Sequence, residues 1–195
     1  RQMCIRDRYY GLTPDLPVIL VVGGSLGTRS LNEMMKAWIV GTDGKAPVQV
    51  IWQTGKYYER EMQAFLAAHP TGNIWQGAFI DRMDYAYAAA DLVVSRSGAG
   101  TVSELCLVAK PVLFVPSPNV AEDHQTKNAL ALVNKQAAIY VKDSEAETTL
   151  MDVALSTVND EQKLKELTEN IAKLALPDSA RIIAQEVIKL AEAKN

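Results

Sequence analysis

From Pro17 onward, short apolar runs alternate with longer segments whose apolar residues recur every three or four positions. The runs are 17-PVILVV-22, 48-VQVIWQ-53, 73-NIWQG-77, 91-DLVVS-95, 111-PVLFVP-116 and 137-AAIYV-141. Each is too short for a stable helix, and the text between them is long enough to cross over a sheet. The pattern therefore predicts repeated βαβ units and six mainly parallel strands. Their Val, Ile and Leu content is nearly continuous, which predicts strands covered by helices on both faces. From about Glu147 the period becomes helical. The stretches 151-MDVALSTVNDEQKLKELTENIAKLA-175 and 181-RIIAQEVIKLAEA-193 read as packing helices, broken at Pro177-Asp178. The expected fold is one α/β domain, a Rossmann-like parallel sheet flanked by helices, over 17–195. Residues 1–16 read as a linker remnant or a non-native leader.

Composition narrows the class. The 195 residues are 48% hydrophobic and 22% charged, as in a folded domain with a sizeable core. A formal charge of -3 supplies no broad cationic field, so nucleic acid is not an expected partner. Cys4 and Cys106 have neither metal-ligand spacing nor a disulfide framework, which points to a reducing compartment. Cys106 reads as a small buried residue on a helix. The opening RQMCIRDRYY has no apolar signal-peptide core, and no later run approaches a membrane span, so a cytoplasmic location is expected.

In an open α/β sheet ligands bind beyond the carboxyl ends of the strands, so the loops after the apolar runs carry the candidate chemistry. The first is 23-GGSLGTRSLNE-33. Gly23, Gly24 and Gly27 permit close backbone approach, and the Ser25 hydroxyl can donate to a phosphate. The loop is neither G-x-G-x-x-G nor a lysine-containing Walker pattern. An ordinary βα turn is the competing reading of Ser25, and Ser30 with Glu33 fits a capping box for the next helix. The second loop is 96-RSGAGTVSELC-106. The first amides of its helix, at Ala99, Gly100 and Thr101, can face a diphosphate. Glu104 fits two roles: closing a capping box onto Thr101, which spacing alone favours, or accepting hydrogen bonds from ribose hydroxyls. The third is 116-PSPNVAEDHQTKNAL-130, where Asp123 can cap a helix carrying His124, Gln125 and Asn128. His124 and Gln125 in its first turn can bond sugar hydroxyls or serve as plain surface residues. The other histidine, His69, stands at a predicted helix end and reads as structural. No G-x-S-x-G elbow, H-E-x-x-H or paired C-x-x-C occurs, which disfavours a nucleophilic hydrolase and a zinc site.

Taken in order, GGSLGTRSLNE, AFIDRM, DLVVSRSGAGTVSELCLVAKPVLFVPSP and EDHQTKNA resemble the carboxyl-terminal half of the MurG family, from about Pro17 to the end. That family transfers N-acetylglucosamine from UDP to a lipid-linked muramyl-pentapeptide in peptidoglycan synthesis, using the two-domain GT-B fold. The resemblance implies that this half is the UDP-sugar-binding domain. It implies phosphate contacts at Gly24 and Ser25, and a uracil site at Phe79-Ile80, with Met83 packing nearby. It places Ala99, Gly100 and Thr101 at the diphosphate and sugar, Glu104 at the ribose, and His124 and Gln125 at the N-acetylglucosamine. Arg96 matches a family arginine near the site, where a structural role is the alternative.

The resemblance implies an inverting transfer that uses no cofactor. No Asp-x-Asp signature stands in a donor loop, so no metal is expected. The resemblance assigns the acceptor site, the catalytic base and the membrane-contact patch to the family's amino-terminal domain, so the expected catalytic residue lies outside this chain. This half alone is expected to bind UDP-N-acetylglucosamine without completing transfer; the full-length protein is expected at the cytoplasmic face of the inner membrane as a peripheral protein. Competing readings are another GT-B transferase, a sugar-nucleotide epimerase on the same architecture, and a non-catalytic nucleotide-binding module.

Overall fold

The computed structural model describes residues 8–42 and 47–192. Six parallel strands form one sheet: β1 Val18–Val22, β2 Gln49–Gln53, β3 Ile74–Gly77, β4 Leu92–Ser95, β5 Val112–Phe114 and β6 Ile139–Tyr140. All six stand where the apolar runs predicted them. Their order across the sheet is β3-β2-β1-β4-β5-β6. The register runs Leu20 beside Ile51 on one side and beside Val93 on the other. Because β1 is central and the chain reverses its direction of winding there, the crevice between the β1 and β4 loops is the topological switch point where such folds take ligands.

Period-two geometry sorts the apolar residues onto two faces. Val18, Leu20, Ile51, Val93, Val112 and Phe114 pack on one side. Ile19, Val21, Val50, Trp52, Leu92, Val94 and Leu113 pack on the other. Both faces are covered, which is why the runs read as continuous. Helices α3 Met83–Ala89, α4 Ala99–Val108, α5 His124–Val133 and α7 Glu161–Ala172 send buried residues into the first face. The second face receives α1 Arg29–Thr42, α2 Glu59–Ala68 and α6 Ala146–Val158. Each fully buried Val, Ile or Leu side chain contributes about 1.5–3 kcal/mol. The exposed ion pairs along α7, such as Lys165 with Glu169 at 3.9 Å, contribute about 0–1 kcal/mol each. Burial against the sheet therefore decides the fold.

Two details depart from the sequence pattern. Tyr10 and Leu12, from the stretch expected to be a linker, are buried in the first core, and the Tyr10 hydroxyl donates to the Arg82 carbonyl at 2.9 Å. The last helix, α8 Ser179–Glu192, buries none of its side chains, although its period predicted packing. Its Ile183, Val187 and Leu190 lie exposed, because among the described residues no element covers that face. Cys106 is a buried free thiol on α4, as expected, while Cys4 lies outside the described residues.

Candidate functional site at the carboxyl edge of the sheet

Parallel strands deliver all their following loops to one edge, so topology alone brings the candidate residues to the same side of the molecule. Gly24 and Ser25 follow β1, Ile80 and Met83 follow β3, Arg96 to Glu104 follow β4, and His124 and Gln125 follow β5.

The β1 loop owes its shape to glycine. Gly27 has φ +90, and a Cβ there would stand 2.3 Å from the Thr54 carbonyl oxygen, so the β1 and β2 loops touch backbone to backbone at Gly27 and Gly55. Thr28 closes the turn by donating its hydroxyl to the Gly23 carbonyl at 2.8 Å. Ser25 sits exposed at the tip, where its backbone carbonyl accepts from the Lys56 amide at 3.3 Å. Behind the loop, buried Asn32 on α1 donates to the Thr54 carbonyl at 3.0 Å and accepts from the Trp52 indole at 3.0 Å. This fixes the start of α1 against the end of β2.

The predicted Ser30–Glu33 capping box is absent. Helix α1 begins at Arg29, and the Ser30 hydroxyl donates instead to Asp143 at 2.5 Å, while Glu33 pairs with Lys36 at 3.0 Å. Arg96 supplies the reason. Its guanidinium pairs with Asp143 at 2.6 Å and donates to the Val115 carbonyl at 2.8 Å and to the Ser30 hydroxyl at 3.1 Å. Arg96 thus ties the ends of β4 and β5, the start of α1 and the turn after β6 into one network, which realises the structural alternative for this residue.

The β4 loop opens the first turn of α4. Gly98 holds the N-cap position with no side-chain cap, and the first helical bond runs from the Val102 amide to the Gly98 carbonyl at 3.0 Å. The amides of Ala99, Gly100 and Thr101 precede that bond and lie at the positive end of the helix dipole. The Thr101–Glu104 capping box fails for a simple reason: the helix starts two residues earlier, so Thr101 is inside it. Glu104 is exposed, and its Oε2 accepts from the buried Tyr87 hydroxyl at 3.2 Å. Gly100 is the most informative residue here. Its φ is not left-handed and a Cβ would meet nothing within 4 Å, so neither backbone strain nor packing within the chain requires glycine.

Ile80 is 3% exposed, with its side chain in the first core, and Met83 packs half-buried against the same cluster at the start of α3. Phe79 is exposed. Gln53, which the sequence reading passed over, connects this loop to the β1 loop: its Nε2 donates to the Gly24 carbonyl at 2.7 Å and to the Ala78 carbonyl at 3.1 Å. Its signal was a glutamine closing the VQVIWQ run at the end that faces the loops.

The β5 loop reaches α5 through Glu122 and Asp123, both left-handed at φ 53 and φ 52. Asp123 occupies the N-cap position in a left-handed conformation, outside the extended backbone usual for a capping residue, and makes no side-chain cap hydrogen bond. His124 is exposed, and its Nδ1 lies 2.9 Å from the Ala121 carbonyl. Gln125 is held more firmly, its Oε1 accepting from the Ser117 amide at 3.0 Å. The Ser97 hydroxyl donates to the Gln125 carbonyl at 2.8 Å, and Asn128 donates to the Ser97 carbonyl at 3.1 Å. The β4 loop and the first turn of α5 therefore form one rigid corner. His69 has a structural role: its ring stacks on Phe65 at 4.4 Å, and its Nδ1 lies 3.0 Å from the Phe65 carbonyl.

An open cleft of about 820 Å³ runs along this edge and is lined by Thr28, Ser30, Arg96, Ser117, Gln125 and Asp143, among others. Of the candidate residues it takes in Arg96 and Gln125. Ser25, Ile80, Met83 and Glu104 lie outside its lining, so the candidate contacts are spread over the rim of the sheet and do not share one enclosed pocket. Among the described residues no helix is long and apolar enough to cross a membrane.

This architecture is that of the carboxyl-terminal Rossmann-like domain of a GT-B glycosyltransferase. Residues 18–183 match the glycosyltransferase family 28 C-terminal domain, and the chain belongs to that family. It is 65% identical over 189 residues, 96% of the chain, to the UDP-N-acetylglucosamine–N-acetylmuramyl-(pentapeptide) pyrophosphoryl-undecaprenol N-acetylglucosamine transferase of Bacteroides thetaiotaomicron, covering 51% of that protein. The enzyme of the same name from Bacteroides fragilis is 58% identical, with 98% of the chain and 50% of the relative covered. The chain thus spans about half the length of the curated relatives it matches. Among solved structures, Acinetobacter baumannii MurG superimposes with a TM-score of 0.79 at 30% identity, over 94% of this chain and 53% of that one. A UDP-GlcNAc 2-epimerase from Neisseria meningitidis reaches 0.60 at 14% identity, over 94% and 47%, and shares the fold alone.

Proposed function

We propose that this chain is the donor-binding half of an inverting glycosyltransferase that moves N-acetylglucosamine from UDP-N-acetylglucosamine to undecaprenyl-diphosphate-linked muramyl-pentapeptide. The observation that carries the reading is the 65% identity, across nearly the whole chain, to a transferase named for that reaction. The site agrees with it. Gly100 leaves room over the first amides of α4 without any internal need for glycine, which suits a diphosphate laid against the helix terminus. Gly24 and Ser25 contribute a second set of phosphate contacts, and Glu104, freed from capping, accepts from the ribose hydroxyls. The Phe79-Ile80 loop, backed by Met83, takes the uracil. His124 and Gln125 meet the sugar, while Arg96 braces the loops around it.

In the proposed reaction the acceptor hydroxyl forms a bond to the anomeric carbon as the bond to the diphosphate oxygen breaks, inverting that carbon. The leaving UDP takes up the electron pair, and the amides of Ala99, Gly100 and Thr101 stabilise the growing negative charge. The hydroxyl proton passes to a base assigned to the half of the relatives that this chain does not span. That half also holds the lipid-linked acceptor, so the complete enzyme works at the membrane surface, on the cytoplasmic side where UDP-sugars are available.

A chimera tests the reading. This chain replaces the matching half of the Bacteroides thetaiotaomicron relative, and transfer of labelled N-acetylglucosamine to the lipid-linked acceptor is measured. Retained transfer is expected; a folded chimera that binds acceptor and transfers nothing contradicts the proposal.

A further inference from the structure

Glu104 projects from the exposed flank of α4 on a side chain with three rotatable bonds, so by itself it has no preferred direction. Tyr87 differs in this respect. It lies on α3, is 7% exposed, and has its ring packed in the first core with Leu105 and Ile80. Its hydroxyl is the one polar atom of the ring, and it donates to Glu104 Oε2 at 3.2 Å. Burial and the neighbouring carboxylate push the phenol well above its ordinary pKa, so it remains a proton donor throughout the neutral range.

We propose that Tyr87 is a positioning residue for the ribose of the donor: its fixed hydroxyl engages Oε2 of Glu104 and leaves Oε1, with the remaining lone pairs, to accept from the two ribose hydroxyls. This rests on the reading of Glu104 as the ribose acceptor. An ionised carboxylate has about four acceptor positions, so one bond to Tyr87 and two to a ribose fit together without competition. A carboxylate held before the ligand arrives also loses less rotamer freedom on binding than a free one. The opposite assignment is that Glu104 is present only to satisfy a buried phenol. It makes a different prediction, because removing the phenol oxygen would then leave ligand recognition untouched.

The test compares UDP with 2′-deoxy-UDP, by calorimetric titration of the 195-residue chain and of Tyr87→Phe, which keeps the ring in the core. Wild type is expected to prefer UDP. Tyr87→Phe is expected to lower UDP affinity about three- to tenfold. It should weaken 2′-deoxy-UDP less, because only the 3′-hydroxyl is left to meet Glu104, so that the preference narrows. In a Glu104→Ala background, Tyr87→Phe should add nothing to the loss. A purely structural Tyr87 would lower the melting temperature and reduce both affinities in proportion, leaving the preference intact, and that result overturns the inference. If Tyr87→Phe does not fold, Tyr87→Met, which also removes the hydroxyl while keeping an apolar side chain in the core, must show the same narrowing. Absence of any UDP binding by folded wild type refutes the donor-binding reading and this inference with it; an unchanged preference in a UDP-binding variant refutes the inference alone.

Discussion

Gly100→Ala separates a binding role from a structural one because the two predict effects of opposite sign. Gly100 is the second residue of α4, has an ordinary helical backbone, and leaves open space where a Cβ would stand. Alanine is better than glycine in a helix interior by about 0.8–1 kcal/mol, with less gained in the first turn. The variant should therefore be as stable as wild type or up to ~1 kcal/mol more so, a rise in Tm of about 2–4 °C per kcal/mol for a chain of this size. The same methyl group occupies the space over the first-turn amides, where the diphosphate is proposed to lie. Holding the ligand off those amides should weaken UDP binding at least about tenfold, equivalent to ~1.4 kcal/mol. Scanning calorimetry gives the first quantity and titration with UDP the second. A stable Gly100→Ala chain that binds UDP as wild type does would refute the reasoning, since the glycine would then clear space for nothing.

Three further outcomes follow from the same geometry. Gly27→Ala should cost about 2–5 kcal/mol in urea denaturation, combining a left-handed backbone with the clash on the Thr54 carbonyl; a cost below about 1 kcal/mol would mean the loops separate easily. Arg96→Met should destabilise by about 1–3 kcal/mol, because the Val115 carbonyl loses its donor and Asp143 loses its cation and keeps the Ser30 hydroxyl. Arg96→Lys should recover only part of this, since one ammonium cannot reproduce the forked contacts, and full recovery would contradict the network. Tyr10 gives a pH signature: burial, and then the nearby Tyr9 phenol, raise its pKa from 10.0 to about 12. A raised phenol pKa means the unfolded chain releases this proton first, so its contribution is complete below pH 10 and is lost as pH rises towards 12. Tyr10→Phe should flatten that alkaline fall in stability, as followed by circular dichroism, and an identical pH profile would refute the assignment.

The sheet was legible because its signal is local. Six short apolar runs, nearly continuous in Val, Ile and Leu, can be satisfied only by strands covered on both sides, and the period-two sorting of Leu20 and Val21 to opposite cores follows from strand geometry. Caps were read less well. The Ser30–Glu33, Thr101–Glu104 and Asp123 spacings all fit helix starts, yet none forms a side-chain cap of that kind. Asp143 draws Ser30 away across 113 positions of sequence, the α4 helix begins at Ala99, and Asp123 is left-handed. Spacing cannot report a partner that distant. The supporting contacts of the candidate site have the same character: Gln53 reaches two loops and Tyr87 reaches Glu104 only through the tertiary fold. The period of α8 gave the helix, but the packing expected of it is not found among the described residues, because a pattern does not say which surface covers it.

The most direct test of the account is calorimetric titration of the chain with UDP-N-acetylglucosamine, with UDP-glucose, UDP and ADP as comparators. Selective binding of the uridine ligands is expected, tightest for the acetylated sugar, with little heat from ADP. Equal binding of ADP, or no uridine binding by a folded sample, would contradict the claim that this chain is a UDP-N-acetylglucosamine donor domain.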